Sequence, residues 1–202
     1  MGGRKVLKVV IIGEKSVGKT SVLKRYVDQR YVPTKPTIGV DFVHKDVMVN
    51  DRMVTLQLWD TSGQERFKSL EISYYRGADC CILVFDVQND QTLQQLKMWR
   101  EDFISKTGVQ DPDNFPFVVL GNKVDEPEKR IVTEKQAQNW CRELGGNIFY
   151  FDTSAKDNVN IEQAFQTVSR ISIQSHVPMP PEDLVVLTDS NANEKKSCPC
   201  GS

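Results

Sequence analysis

Short apolar runs alternate with amphipathic stretches through most of the chain. The runs cover residues 6–12, 54–59, 80–87, 115–120 and 148–151. Runs of that length suit strands buried on both faces, the pattern of a parallel sheet. Helical spacing fills the intervals 19–27, 92–105, 133–144 and 161–174, and Thr133 precedes Gln136 by three residues, the spacing of a capping box. One stretch differs. Residues 41–49 alternate apolar with polar, and Asn50-Asp51 separates them from 54–59, which predicts a hairpin. The expected architecture is a three-layer α/β domain. It has a six-stranded, mostly parallel sheet with one antiparallel edge strand, helices on both faces, and its ligand at the carboxyl ends of the strands.

Composition then sets the limits. The chain of 202 residues is long enough for one well-buried domain and short for two. After residue 175 the character changes: 176–202 contains Pro178, Pro180, Pro181 and Pro199 among mostly polar neighbours, broken by an apolar patch at 184–187. The expected division is a domain over 1–175 and a tail over 176–202, disordered when free. A net charge of −1 gives no reason to expect nucleic acid, which favours clustered basic faces. The five cysteines are Cys80, Cys81, Cys141, Cys198 and Cys200. An odd, irregularly spaced set is not a disulfide framework, so a reducing, intracellular setting is expected. No apolar segment is long enough to span a membrane. The first apolar run breaks at Lys8 without a small-residue cleavage site, unlike a signal peptide. Val6 stands where a myristoylation signal after Gly2 needs Ser or Thr.

The first candidate chemistry follows the first run directly. Gly13-Glu14-Lys15-Ser16-Val17-Gly18-Lys19-Thr20 fits G-x-x-x-x-G-K-[ST]. A buried strand that breaks into a glycine-bounded loop and then a helix turns a row of backbone N–H groups toward one point, where the helix dipole adds positive potential. In such a cradle Lys19 reaches the β- and γ-phosphates and the Thr20 hydroxyl ligates Mg²⁺. The loop alone leaves ATP and GTP, kinase and switch, all open.

Four further segments narrow it: Trp59-Asp60-Thr61-Ser62-Gly63-Gln64-Glu65, Asn122-Lys123-Val124-Asp125, Thr153-Ser154-Ala155-Lys156 and Pro36-Thr37-Ile38-Gly39. With the phosphate loop they resemble the small GTPases of the Ras superfamily, over roughly residues 5–174, and so imply a P-loop GTPase domain. The resemblance implies GTP and GDP as ligands, with Mg²⁺. Gly13, Ser16, Val17, Gly18, Lys19, Thr20 and Ser21 would hold the phosphates. Asp125 would accept from the N1–H and exocyclic amine of guanine, a pair that adenine lacks. Asn122 would hold neighbouring loops or the base N7, Lys123 would pack its stem over the ring, and the Ala155 amide, flanked by Ser154 and Lys156, would meet O6. Tyr31 is placed like the family's aromatic that stacks against the base. Thr20 and Thr37 would ligate Mg²⁺, with Asp60 holding it through water. The Gly63 amide would touch the γ-phosphate, Gln64 would orient the attacking water, and Lys19 would neutralise developing charge. No arginine is evidently placed to act in cis, so slow hydrolysis that depends on an activating protein is expected.

Within the superfamily, Ile38-Gly39-Val40-Asp41-Phe42, the stretch 59–67 and Tyr74-Tyr75-Arg76-Gly77-Ala78 look like Rab signatures. The strings at 74–87, 111–125 and 161–170 look most like the late-endosome and lysosome subfamily, the Rab seven group. That resemblance implies a monomeric GTPase domain and an effector-reading triad of Phe42, Trp59 and Tyr74. It also implies switches at 34–41 and 61–75 that the γ-phosphate orders. The implied partners are an exchange factor, a GTPase-activating protein, a GDP-dissociation inhibitor or escort protein, and trafficking effectors. The implied place is the cytoplasmic face of late endosomes, lysosomes or vacuoles, in exchange with cytosol. Cys198-Pro199-Cys200 looks like a substrate for double geranylgeranylation; Pro199, fourth from the end, excludes a C-a-a-X box, and stable anchoring needs two lipid chains.

The chain also departs from the family. Lys15 and Ser16 stand where relatives usually have Ser or Gly and then Gly; three roles stay open for Lys15, pointing to solvent, crowding out the activator or supplying a cation in cis, and the expectation is slower activator-stimulated hydrolysis. Tyr31 and Thr37 are six positions apart, one fewer than usual. Ser62 replaces the usual Ala, and Gly201-Ser202 follow the second tail cysteine. One alternative is a guanine-nucleotide-binding membrane scaffold with negligible hydrolysis, which Gln64, Thr37 and Asp60 oppose. Another is a P-loop ATPase or kinase, which Asp125 opposes.

Overall fold

The computed structural model describes residues 5–33, 35–37, 39–63, 73–146 and 148–174. Gln64, the tail with Cys198 and Cys200, and the parts of the two switches at 34, 38 and 64–72 lie outside the described residues. The elements run β1 (Lys5–Ile12), α1 (Lys19–Asp28), β2 (Val40–Val49), β3 (Arg52–Thr61), β4 (Cys80–Asp86), α2 (Asp90–Thr107), β5 (Phe117–Asn122), α3 (Glu134–Glu143), β6 (Ile148–Thr153) and α4 (Ile161–Gln174). The sheet order is β2-β3-β1-β4-β5-β6, and every neighbouring pair is parallel except β2 with β3. This is the sheet the hydrophobic pattern predicts, with its antiparallel strand at one edge.

Local chemistry explains the turns. Asn50 and Asp51 join β2 to β3 with φ of 48° and 58°, the left-handed pair that suits a tight hairpin. Thr133 caps α3: its hydroxyl accepts from the Gln136 amide while the Gln136 side chain accepts from the Thr133 amide, closing the predicted capping box. Strands β4 and β5 and the second half of β1 are almost wholly buried, because helices cover both faces. The last strand departs from the expectation of burial on both faces. β6 is mostly half-buried, with Phe149 38% exposed, since it closes the sheet edge. Several strands also outrun their apolar runs. β5 starts after Pro116 and continues through Gly121 and Asn122, which pair with Asp152 and Thr153 of β6. Backbone ladders need no apolar side chain, so polar motif residues become strand ends.

Two cores result. On one face α1 and α4 cover Leu7, Val9, Ile11, Leu56 and Leu58, and Tyr26 stacks on Phe165 with ring centroids 3.9 Å apart and 4° between planes. On the other, α2 and α3 bring Leu96, Trp99, Phe103 and Ala137 onto Val10, Leu83, Phe85 and Val119. Cys80, Cys81 and Cys141 are buried thiols in these cores. From β1 the sheet extends both ways, through β3 to β2 on one side and through β4 and β5 to β6 on the other. That reversal opens a crevice at the carboxyl ends of β1 and β4.

Candidate functional site

The phosphate loop emerges at that crevice. Gly13 follows β1 with φ 143°, and a Cβ there would lie 2.2 Å from the Val84 carbonyl oxygen of β4, so only glycine passes. Gly18 opens α1 with φ 99°, and a Cβ there would sit 2.3 Å from the Asn122 side-chain nitrogen. Ser16 holds φ 63° between them, a left-handed turn that points successive amides inward. Val17 is buried beneath the loop. Lys19 is 6% exposed and donates to the Gly13 and Glu14 carbonyls, each at 2.8 Å. Burial pulls its pKa down to about 8, with Asp60 and Glu14 opposing. Gly63 lies flush against this loop: a Cβ on it would meet the Lys15 nitrogen at 2.4 Å and Lys19 Nζ at 2.7 Å.

Beside Lys19 three oxygen-bearing side chains converge. The Thr20 hydroxyl lies 2.7 Å from that of Thr37 and donates to Asp60 Oδ2 at 2.5 Å, while Thr37 reaches the same oxygen at 3.3 Å. Asp60 is 1% exposed, and its Oδ1 is buried with no hydrogen-bond partner among the described residues. Burial raises the Asp60 pKa, against the Thr20 hydrogen bond and the Lys19 charge. Two hydroxyls and a carboxylate whose second oxygen is buried without a partner among the described residues are the donor set a hard divalent cation prefers. The residues fit Mg²⁺. Ser62 beside them is buried, and its hydroxyl also has no partner among the described residues.

The other end of the cleft is built from the ends of β5 and β6. Asn122 donates to the Val17 carbonyl at 2.9 Å and accepts from the Ala155 amide at 3.3 Å. Its side chain therefore ties the end of β5 to the phosphate loop and to the loop after β6, and the Ala155 amide has Asn122 as its partner. Asp125 Oδ1 accepts from the Ser154 hydroxyl at 2.7 Å, and Lys156 stands 3.6 Å from Oδ2. Lys123, at φ 73°, pairs with Asp86 at 2.6 Å. Lys15, Ser16, Gly18, Lys19 and Thr20 of the phosphate loop line one cleft of about 620 Å³ with Ser21, Tyr31, Thr37, Gly63, Asn122, Lys123, Asp125, Ala155 and Lys156. Tyr31 is 42% exposed at its mouth.

Sequence reading missed several contributors. Arg25 of α1 donates to the Ala155 and Lys156 carbonyls at 2.6 Å each, clamping the loop after β6. Asp86 and Gln88, at the end of β4, hold Lys123 by its amine and carbonyl. Glu126 lines the cleft. Asp86 lies within the 74–87 string, which carried the resemblance but no role for it, and Arg25, Gln88 and Glu126 lie in none of the strings. Only the position of Asp86 at the carboxyl end of an apolar run, beside the strand that ends in Asn122, could have pointed to it.

Residues 8–174 match the model of the Ras family. The chain is 64% identical to Ras-related protein Rab-7B of Dictyostelium discoideum, over 97% of this chain and 98% of that protein. It is a Rab GTPase of the Ras family. Similar relatives include Ras-related protein Rab-7a of the same organism, 53% identical over 84% of this chain and 83% of that one. Ypt/Rab-type GTPase ypt7 of Pyricularia oryzae is 52% identical over 84% of each chain. The Rab GTPase binds guanine nucleotide and hydrolyses GTP as a member of that family.

On this Rab the predicted aromatic triad is contiguous. Phe42, 51% exposed, stacks on Trp59 with centroids 5.1 Å apart, and Trp59 meets Tyr74 at 5.9 Å. Lys8 Nζ lies 4.6 Å from the Trp59 ring centroid on the same face. The hairpin register sets Phe42 opposite Trp59, which is what brings the two switches' flanks into one surface. Among the described residues no helix is long and apolar enough to cross a membrane.

Proposed function

We propose that this Rab GTPase is a magnesium-dependent, prenyl-anchored switch that directs traffic to the late endosome, lysosome or vacuole. The observation that carries the reading is the meeting of Thr20, Thr37 and Asp60 a few ångströms from Lys19, in a cleft whose far end holds Asp125. One pocket thus offers a phosphate cradle, a cation site and a carboxylate for guanine. Bound to Thr20, Thr37 and Asp60, Mg²⁺ would supply positive charge against the phosphate oxygens.

The chain's own residues do the rest. Lys19, poorly solvated and already turned into the loop, would exchange part of its carbonyl contacts for phosphate oxygens. Thr37 would respond to the γ-phosphate through the cation site, and Gly63, flush on the loop, through its amide. Both switches would therefore order with GTP and relax with GDP. Gln64 would orient water for attack. The Phe42, Trp59 and Tyr74 face would present the ordered state to effectors. Cys198 and Cys200 would carry the two geranylgeranyl chains that hold the protein on its membrane. An exchange factor, an activating protein and a GDP-dissociation inhibitor would drive the cycle.

The test is the location of tagged wild type beside Gln64→Leu and Thr20→Asn, with mass spectrometry of the membrane-extracted tail. Gln64→Leu should concentrate on late endosomal or vacuolar membranes, Thr20→Asn should lose them, and both tail cysteines should be modified. A Gln64→Leu protein that stays cytosolic overturns the reading.

A further inference from the structure

We propose that Gln88 is a positioning residue for base recognition: it locks the strained backbone from which Asp125 projects, and so sets how long guanine nucleotide stays bound. The inference rests on Asp125 reading the guanine edge.

Gln88 lies two positions beyond β4 and is half-buried. Its side-chain nitrogen is 3.2 Å from the Lys123 carbonyl oxygen and 3.1 Å from Glu126 Oε2. Both partners can only accept, so the amide nitrogen must face them, and the side-chain orientation follows from chemistry. The backbone closes the ring. Asp86 Oδ1 accepts from the Gln88 amide at 2.9 Å, and Asp86 Oδ2 accepts from Lys123 Nζ at 2.6 Å. Val87 donates to the Asn122 carbonyl at 3.1 Å, and its own carbonyl accepts from Ile131 and Val132, each at 2.9 Å. The loop after β4 is therefore stitched to both ends of segment 122–132, and Gln88 reaches between them by its side chain, beside the Asp86 carboxylate that holds the Lys123 amine.

The middle is where restraint is needed. Lys123 has φ 73°, a left-handed conformation that a residue with a Cβ adopts only when its surroundings hold it there. Asp125 lies two residues further on. Its carboxylate is steadied by Ser154 from the opposite loop, but the backbone that presents it has its side-chain restraints in Gln88 and the Lys123–Asp86 pair. Without Gln88, Lys123 can relax and carry Asp125 away from a planar double hydrogen bond. Contacts that depend on two parallel hydrogen bonds lose most when their geometry shifts.

The test compares release of fluorescent GDP from wild type, Gln88→Ala, Gln88→Glu and the swap Gln88→Glu with Glu126→Gln. Each is also assayed for competition by inosine diphosphate, which lacks the exocyclic amine. Gln88→Ala should release GDP about five- to tenfold faster, and the isosteric Gln88→Glu faster still, because it sets a carboxylate against two acceptors. The preference for GDP over inosine diphosphate should shrink in both. The swap restores a donor between positions 88 and 126 and should recover part of the release time. Release within about twofold of wild type in Gln88→Glu, or faster release with the GDP preference intact, overturns the proposal. Wild type that does not prefer GDP over inosine diphosphate removes the role of Asp125, and the proposal with it.

Discussion

The side chain of Asn122 donates to the carbonyl of Val17 at 2.9 Å, so the end of β5 is tied to the glycine-bounded loop after β1. The bond is buried and spans 105 residues of sequence.

Asn122→Ala removes that tie and leaves the Val17 carbonyl buried without its donor, a loss of about 1–3 kcal/mol. GDP release should accelerate about tenfold or more, and the thermal midpoint should fall with it. Stopped-flow release and thermal denaturation on the same preparation check both.

Metal removal should loosen the nucleotide. Thr20, Thr37 and Asp60 offer converging oxygens, and Asp60 Oδ1 has no partner among the described residues. Chelation by EDTA should raise GDP release about tenfold or more, through loss of a ligand that binds only the folded site. Asp60→Asn should release GDP quickly with or without Mg²⁺; an Asp60→Asn protein still slowed by Mg²⁺ would contradict the assignment.

Lys19 gives a pH signature. Its folded value of about 8 lies below the ordinary 10.5, so between those two values the unfolded chain holds more protons than the nucleotide-free fold. On this account alone, stability of the nucleotide-free protein rises with pH across that window. Phosphates favour the charged amine, so binding GDP at about pH 9 should take up protons. Calorimetry in two buffers of different ionisation enthalpy measures the uptake, and Lys19→Met should abolish it.

Gly63→Ala should separate binding from chemistry. The new Cβ would stand 2.4 Å from the Lys15 nitrogen and 2.5 Å from the Glu14 carbonyl carbon, contacts that force residue 63 off the loop. A displacement near 1 Å can cost about a hundredfold in rate. Single-turnover GTP hydrolysis should fall by about that factor, while GDP affinity changes much less.

Lys15 is exposed, and it lines the cleft next to the amide that Gly63 approaches. A long cationic side chain at that mouth should obstruct a group donated by an activating protein. Lys15→Ser is expected to speed activator-stimulated single-turnover hydrolysis, and equal rates in the two proteins would refute the obstruction.

Much of the fold was legible in the chain. Continuous apolar runs mark the strands of the sheet's buried centre, and the alternation at 41–49 marks an edge strand that leaves a face to solvent. The Asn50-Asp51 turn fixes the hairpin, because those residues accept φ near 50° more readily than most. The edge position of β6 was not legible: Ile148 to Phe151 reads like a central strand, and only the sheet order shows that no strand among the described residues pairs beyond it.

The sequence by itself determined the class of ligand. The phosphate loop, Asp60 and the stretch from Asn122 to Asp125 are short strings whose chemistry depends on neighbours in the chain, so spacing alone reveals them. Tertiary structure decided how these pieces act together. Thr20 meets Asp60, Asn122 meets Val17, Arg25 clamps Ala155 and Gln88 braces Lys123 only because parallel strands bring distant carboxyl ends to one rim. Such contacts leave no local pattern: a single arginine on a helix or a glutamine after a strand is an ordinary surface residue until folding supplies its partner. The ligand was written in the strings, and the rigidity that holds it comes from contacts made across the sheet.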